Sequence, residues 1–370
     1  MFRSLLLLVC LCMVLVVPVA AQDAPPAVAE PAFRVEEVVR ADMVTSIVFT
    51  ADGSMYWTEK LGAVRRMAPD GTVQADPVVQ VQAKTDNEQG LLSIAFDPAF
   101  EENRLFYIFY SRLPDPTQKV GQNVIARYRL NEEYKGVDPL DLLAIDLPDN
   151  DRNEHNGGRL RFAADGSLYY SLGDLGFASN GQDATSALAK IHRVIIAGNQ
   201  FVAAPGNPQP GQSVWAMGVR NTFSFIFDPV SKGILATENG PACDDEINLV
   251  YPGQNYGWGT EVNCEDPPPM RQINGRPPLI SWTPTVAPTG IMVYDGDAFP
   301  AWKGQVFYCT FKTFGPYHMP MNEKHTQFTG DPVLLELPNG QQCFIEIMQG
   351  PDGYIYYSHI SAIYRLVPAA

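Results

Sequence analysis

Apolar and polar positions alternate with a period of two over short runs, and the three-to-four spacing of a long amphipathic helix is nearly absent from the chain. The runs are rich in aromatic residues, and each follows an Asp-Gly or Asp-Pro turn. The clearest are Phe49-Thr-Ala-Asp-Gly-Ser-Met-Tyr-Trp57, Phe162-Ala-Ala-Asp-Gly-Ser-Leu-Tyr-Tyr170 and Gly350-Pro-Asp-Gly-Tyr-Ile-Tyr-Tyr357. Looser copies begin at Phe96, Phe227 and Tyr294.

Six copies start at 49, 96, 162, 227, 294 and 350, in steps of 47, 66, 65, 67 and 56 residues. A four-stranded propeller blade takes roughly 40 to 50 residues, with extra length going into loops. The pattern therefore predicts an all-β chain folded as a six-bladed β-propeller. A two-sheet sandwich is the competing architecture, but it does not call for one turn signature repeated this often. Propeller ligands usually sit at the mouth of the central channel, so functional residues are expected in the loops between repeats.

The N-terminus changes the picture. Arg3, an apolar run from Leu5 to Val17 and Pro18-Val-Ala-Ala21 have the form of a secretory signal cleaved after Ala21. Residues 22–32 read as a flexible Pro/Ala-rich leader and 33–370 as the propeller. The expected location is secreted or periplasmic, with no membrane span after signal cleavage. The formal charge of −15 argues against nucleic acid and anionic membrane surfaces, which need a basic footprint. Cys10 and Cys12 leave with the signal. Cys243–Cys264 and Cys309–Cys343 are the pairs nearest in sequence among the remaining cysteines, although sequence leaves the connectivity open.

Several loops carry candidate chemistry. In Thr237–Trp258, Gly240 and Pro241 suit a sharp turn, and Asp244, Asp245 and Glu246 are hard oxygen donors that repel one another unless solvated or neutralised. Calcium suits that mixture, as does a plain acidic surface loop. His155 stands between Glu154 and two glycines, and Asp174 closes the strand that follows. A carboxylate orienting a histidine base is one reading, a hairpin-loop histidine the other. Arg220-Asn221 suits either an oxygen-rich planar ligand or a salt bridge between blades. Lys312 interrupts an apolar strand end, where it either snorkels or holds an anion. Asp86–Leu92 reads as a turn that can present side chains to the channel.

In collinear order, QGLLSIAFDPAF, EHNGGRL with SLGDLG, QDATSALAKI, GVRN, TENGPACDDEINLV with GQNYGW, and PTVAPTG resemble the soluble quinoprotein glucose/sorbosone dehydrogenases, or aldose sugar dehydrogenases. The likeness spans essentially the whole chain after the signal. It implies a six-bladed propeller that oxidises the anomeric hydroxyl of an aldose to a lactone with non-covalent pyrroloquinoline quinone (PQQ). It further implies His155 as general base, supported by Asp174, and an Arg220–Asn221 pair on the quinone, Arg220 counting also among the catalytic groups. Gln89, Thr285 and Lys312 match further cofactor contacts. Calcium is expected on the carbonyls of Gly240 and Pro241, and a second, structural calcium with Asp245, Glu246 and Tyr256. A sugar substrate and an electron acceptor that the sequence does not identify complete the set.

Three positions depart from the family pattern. Basic residues expected before the last Pro-Asp-Gly strand are replaced by Gln342-Cys343-Phe344-Ile345. Glu88 takes the place of the glutamine before Gly-Leu-Leu unless the loop shifts to present Gln89. The residues after Asn221 read Thr222-Phe223-Ser224. Two other functions stand beside the dehydrogenase: a calcium-stabilised propeller that binds a carbohydrate or protein partner without redox chemistry, and an enzyme using the same base on another hydroxylated substrate.

Overall fold

The computed structural model describes residues 30–369 apart from 115–116, 118, 150–152, 260–263 and 266–274. The expected signal peptide and residues 22–29 of the leader lie outside the described residues. Among the described residues six antiparallel sheets follow one another, five of four strands and one of five. Their first strands are Val44–Phe49, Leu91–Phe96, Gly157–Phe162, Thr222–Phe227, Pro288–Val293 and Ile347–Gln349. These stand side by side around the central axis, each against the next from blade I to blade VI. Blade VI takes its outermost strand, Phe33–Arg40, from the other end of the chain, paired with Ala362–Pro368 from Phe33↔Pro368 to Arg40↔Ala362. That pairing closes the ring.

Every copy of the turn signature joins the first strand of a blade to its second. Gly53, Gly166 and Gly353 have φ of 85°, 82° and 78°, a left-handed conformation that favours glycine. The preceding aspartate ties the turn to the next strand: Ser54 N donates to Asp52 at 2.9 Å and Ser167 N to Asp165 at 2.9 Å.

The aromatic doublets have a packing cause. Successive side chains on a strand point to opposite faces, and here both faces are covered by neighbouring blades. Tyr56 enters the core between blades I and II, while Trp57 enters the one between VI and I. Phe106 and Tyr107 divide between the I/II and II/III cores, and Tyr170 and Tyr169 between II/III and III/IV. Leu235, Ala236, Tyr308, Phe307, Tyr357 and Tyr356 repeat the division around the ring. Each large apolar side chain so buried contributes about 1.5–3 kcal/mol relative to exposure.

In blades I to V the inner strand loses register with its neighbour near its start: between Val44 and Ser46, Leu91 and Ser93, Gly157 and Leu160, Thr222 and Ser224, and Pro288 and Ile291. Such irregularities re-aim side chains. Here they turn Thr45, Leu92, Arg159, Phe223 and Thr289 onto the wall of one cavity at the channel mouth. Disulfides Cys243–Cys264 and Cys309–Cys343, with Cα separations of 5.6 and 5.4 Å, tie down loops on the blades beside it.

Candidate functional site

The centre of the site is a buried histidine–aspartate pair. His155 lies just before the inner strand of blade III, and Asp174 just after the next strand. The two segments approach closely because residue 173 is glycine: a Cβ there would fall 1.9 Å from His155 O. Asp174 Oδ1 then lies 2.6 Å from His155 Nδ1. Gly176 N donates to the same oxygen at 2.7 Å, and Trp258 Nε1 donates to Oδ2 at 2.8 Å. Burial alone would raise the Asp174 carboxyl, but the hydrogen bonds and charge from His155, with Gly176 and Trp258, outweigh it and hold it below the usual aspartate value. An ionised carboxylate only accepts, so Nδ1 carries the proton and Nε2 is the basic atom of the ring. Glu154 Oε2 lies 3.8 Å from Nε2.

Glu88 couples this pair to the next loops. Its Oε2 accepts from His155 N at 2.8 Å and Asn221 Nδ2 at 3.0 Å. Asn221 Oδ1 in turn accepts from Gly157 N at 3.1 Å. The structure therefore places Glu88, and not Gln89, at the cavity wall. Gln89 is buried, its Oε1 accepts from Lys84 Nζ at 2.7 Å, and it is not among the residues that line the cavity. The amides of Arg220 and Asn221 both donate to Glu238 Oε1. Burial pushes Glu238 up to about 7.

The cavity measures about 260 Å³ and its walls include Lys60, Glu88, Asn156, Asn221, Phe311 and Ile345. Of the expected cofactor contacts, Asn221 lines it directly. Thr285 and Lys312 are not among its lining residues; they are hydrogen-bonded to each other, with Lys312 exposed and its neighbour Phe311 on the wall. Arg220 belongs to a second, much smaller cavity of about 20 Å³, shared with Gly240, Pro241, Asp244, Glu246 and Trp258. Its Nη1 donates to Asn239 O at 2.7 Å and its guanidinium lies 5.4 Å from the Trp258 ring centre.

Crowded carboxylates surround that smaller cavity. Burial, followed by the charges of Glu238, Asp244 and Asp245, pushes Glu246 up to about 8. Among the described residues no group of three or more His, Cys, Asp or Glu is arranged to hold a metal ion by side chains alone. Asp245 has both oxygens engaged by main-chain amides, Oδ1 by Gly240 N at 2.8 Å and Oδ2 by Ala287 N at 2.5 Å. The Tyr256 hydroxyl donates to Leu249 O at 2.9 Å and accepts from Tyr251 N at 3.0 Å. The Asp245 and Tyr256 side chains thus brace the loops, and main-chain oxygens are the donors that a cation would add to Glu246. Hard oxygens, carbonyls and mutually repelling carboxylates still match the chemistry of calcium.

Lys60, Asn156, Arg159 and Glu238 were absent from the sequence-based site. Lys60 falls in an unremarkable strand end, and the other three lie inside or beside motifs in which different residues draw the eye. The irregular strand starts that turn several side chains inward leave no local sequence signal.

Fold and site together define a propeller with a cavity at its channel mouth, walled in part by Lys60, Glu88, Asn156 and Asn221, and a buried His155–Asp174 pair next to Asn156 in the chain. The sequence profile of the Glucose / Sorbosone dehydrogenase family matches residues 41–362, and the chain belongs to that family. It is 30% identical over 335 residues to an uncharacterized protein of Synechocystis sp., covering 82% of this chain and 78% of that one. It is 27% identical over 397 residues to quinoprotein glucose dehydrogenase B of Acinetobacter calcoaceticus, covering 84% and 82%. Its fold is similar to that of the PQQ-bound aldose sugar dehydrogenase of Streptomyces coelicolor, with a TM-score of 0.73 and 22% identity over 92% of this chain and 99% of that one.

Proposed function

We propose that this protein is an exported, PQQ-dependent dehydrogenase that oxidises the anomeric hydroxyl of an aldose to its lactone. The observation that carries the reading is the 2.6 Å contact between His155 Nδ1 and an Asp174 carboxylate held ionised, which leaves Nε2 to take a hydroxyl proton. Asp174 stabilises the imidazolium that forms and fixes the ring orientation. The C1 hydride needs a two-electron acceptor, which bound quinone supplies, with calcium as a Lewis acid beside it. Gly240 and Pro241 would hold that ion through their carbonyls, and Glu246, with main-chain oxygens of Asp245 and Tyr256, a second one in support of the fold.

The cavity suits an oxygen-rich anionic group. Asn156 Nδ2 and Arg159 Nε are buried donors without a hydrogen-bond partner among the described residues, and both residues line it. Lys60 adds a cation and Asn221 a contact expected from the family, while Arg220, Thr285 and Lys312 are further contacts that the resemblance implies. Two disulfides agree with an oxidising compartment, as the expected signal at residues 1–21 requires.

One observation favours a second reading. Ile345 lines the cavity where a basic residue is expected, which suits a propeller that binds a carbohydrate or protein partner without redox chemistry. Turnover of C1-deuterated aldoses by calcium- and PQQ-loaded protein separates the two. Lactone formation with a primary isotope effect supports the dehydrogenase; sugar binding with no lactone from any aldose selects the second reading.

A further inference from the structure

We infer that Lys60 and Asn156 form a carboxylate clasp on the cavity wall, supplying from blades I and III the anion contacts missing before the inner strand of blade VI. The inference rests on the proposed quinone site and names the residues that would recognise its carboxylates.

Lys60 is held in place by the fold. Its main-chain carbonyl accepts from Leu91 N at 3.0 Å, and its stem lies over Gly90, where a Cβ would stand 2.6 Å from Lys60 Cγ. The glycine before Leu91-Leu92 therefore makes room for the lysine. Lys60 Nζ donates to Thr85 O at 2.9 Å, and among the described residues no carboxylate lies within ion-pairing distance of it. Asp86 and Glu88 act on it only from farther away. Arg159 differs, because Glu346 already neutralises it at 2.5 Å. Of the cavity-lining cations Lys60 and Arg159, Lys60 is the one with no carboxylate in ion-pair contact among the described residues.

Asn156 is 1% exposed, and a relay sets its polarity. Ser111 Oγ donates to Asn123 Oδ1 at 2.8 Å, and Asn123 Nδ2 donates to Asn156 Oδ1 at 3.0 Å. That leaves Asn156 Nδ2 as a buried donor with no partner among the described residues, on the wall of the cavity. Such a donor is costly unless an acceptor oxygen arrives. A cation with no carboxylate in ion-pair contact and a donor without an acceptor on one wall offer a place to a carboxylate.

The test is calorimetric titration of the calcium-loaded full chain, wild type and variants, with PQQ, its trimethyl ester and a pyridine tricarboxylate, with thermal unfolding to verify folding. Lys60→Met is expected to weaken binding of PQQ about 10- to 100-fold, and Asn156→Asp to weaken it as much or more. Lys60→Arg should bind within a few-fold of wild type. The ester, which lacks the charge, should bind wild type and Lys60→Met alike. Equal PQQ affinity in wild type and Lys60→Met overturns the clasp and leaves the dehydrogenase standing. Lys60-dependent binding of the tricarboxylate without binding of PQQ keeps the clasp and overturns the dehydrogenase. Binding of neither by folded wild type overturns both.

Discussion

Arg159 Nη1 and Glu346 Oε2 meet at 2.5 Å, joining the inner strand of blade III to the lead-in of blade VI. Both side chains are buried, and Ser46 Oγ of blade I accepts from the same nitrogen at 3.1 Å. Arg159 lines both the mouth cavity and the pocket below it, so the pair forms part of the floor that separates them.

Removing one partner strands the other charge in the interior. Glu346→Leu is expected to cost about 3–5 kcal/mol of unfolding free energy, whereas Arg159→Met with Glu346→Leu should cost much less. Denaturant unfolding of both variants checks this; equal losses would show that packing and not the unpaired charge sets the cost.

Asp174→Asn keeps the size of the side chain but removes the charge that fixes the Nδ1–H tautomer of His155. The turnover number is expected to fall about 10³–10⁴-fold, by analogy with the serine-protease triad, with PQQ affinity little changed. Steady-state kinetics with calorimetry test it, and a proportional loss of PQQ affinity would point to collapse of the site instead.

His192 predicts a pH-dependent loss of stability away from the site. Its Nε2 donates to Ala187 O at 2.7 Å and its ring stacks on Tyr170 at 4.7 Å. Burial depresses the imidazole to about 4. Between the ordinary histidine value near 6.5 and that depressed value, the unfolded chain binds a proton that the native one does not. Stability is therefore full above about pH 6.5 and falls toward pH 4, by roughly 2–3 kcal/mol from this group. His192→Gln should flatten that part of the stability–pH curve, measured by urea denaturation at each pH; an unchanged slope would contradict the assignment.

Calcium should act on the carboxylates around the smaller cavity. If the ion binds the folded chain alone, a hundredfold excess over its Kd adds about 2.7 kcal/mol of stability. The melting temperature is expected to rise with calcium and fall with a chelator, and Glu246→Gln should shrink the response. A melting temperature indifferent to calcium would leave the crowded carboxylates to their protons.

The fold was legible because its signals are local. Each Asp-Gly turn is set by neighbours in sequence, and doublets such as Tyr356-Tyr357 record burial on both faces of a strand. His155 and Asp174 stood out because a histidine between a carboxylate and glycines is rare in this chain. The cavity wall was not legible to the same degree. Glu88 and Gln89 differ by one position, and only the turn decides which faces inward. Lys60 owes its place to Gly90, distant in sequence, and Asn156 owes its orientation to Asn123 in another blade.

The most direct measurement is sugar-dependent dye reduction by calcium-loaded protein whose PQQ binding has been established by calorimetry, in wild type and His155→Ala. The account predicts quinone binding near or below about micromolar, a free energy of about −8 kcal/mol. It also predicts that His155→Ala abolishes dye reduction while still binding quinone. Undiminished turnover by His155→Ala, or no quinone binding by folded, calcium-loaded protein, would contradict it.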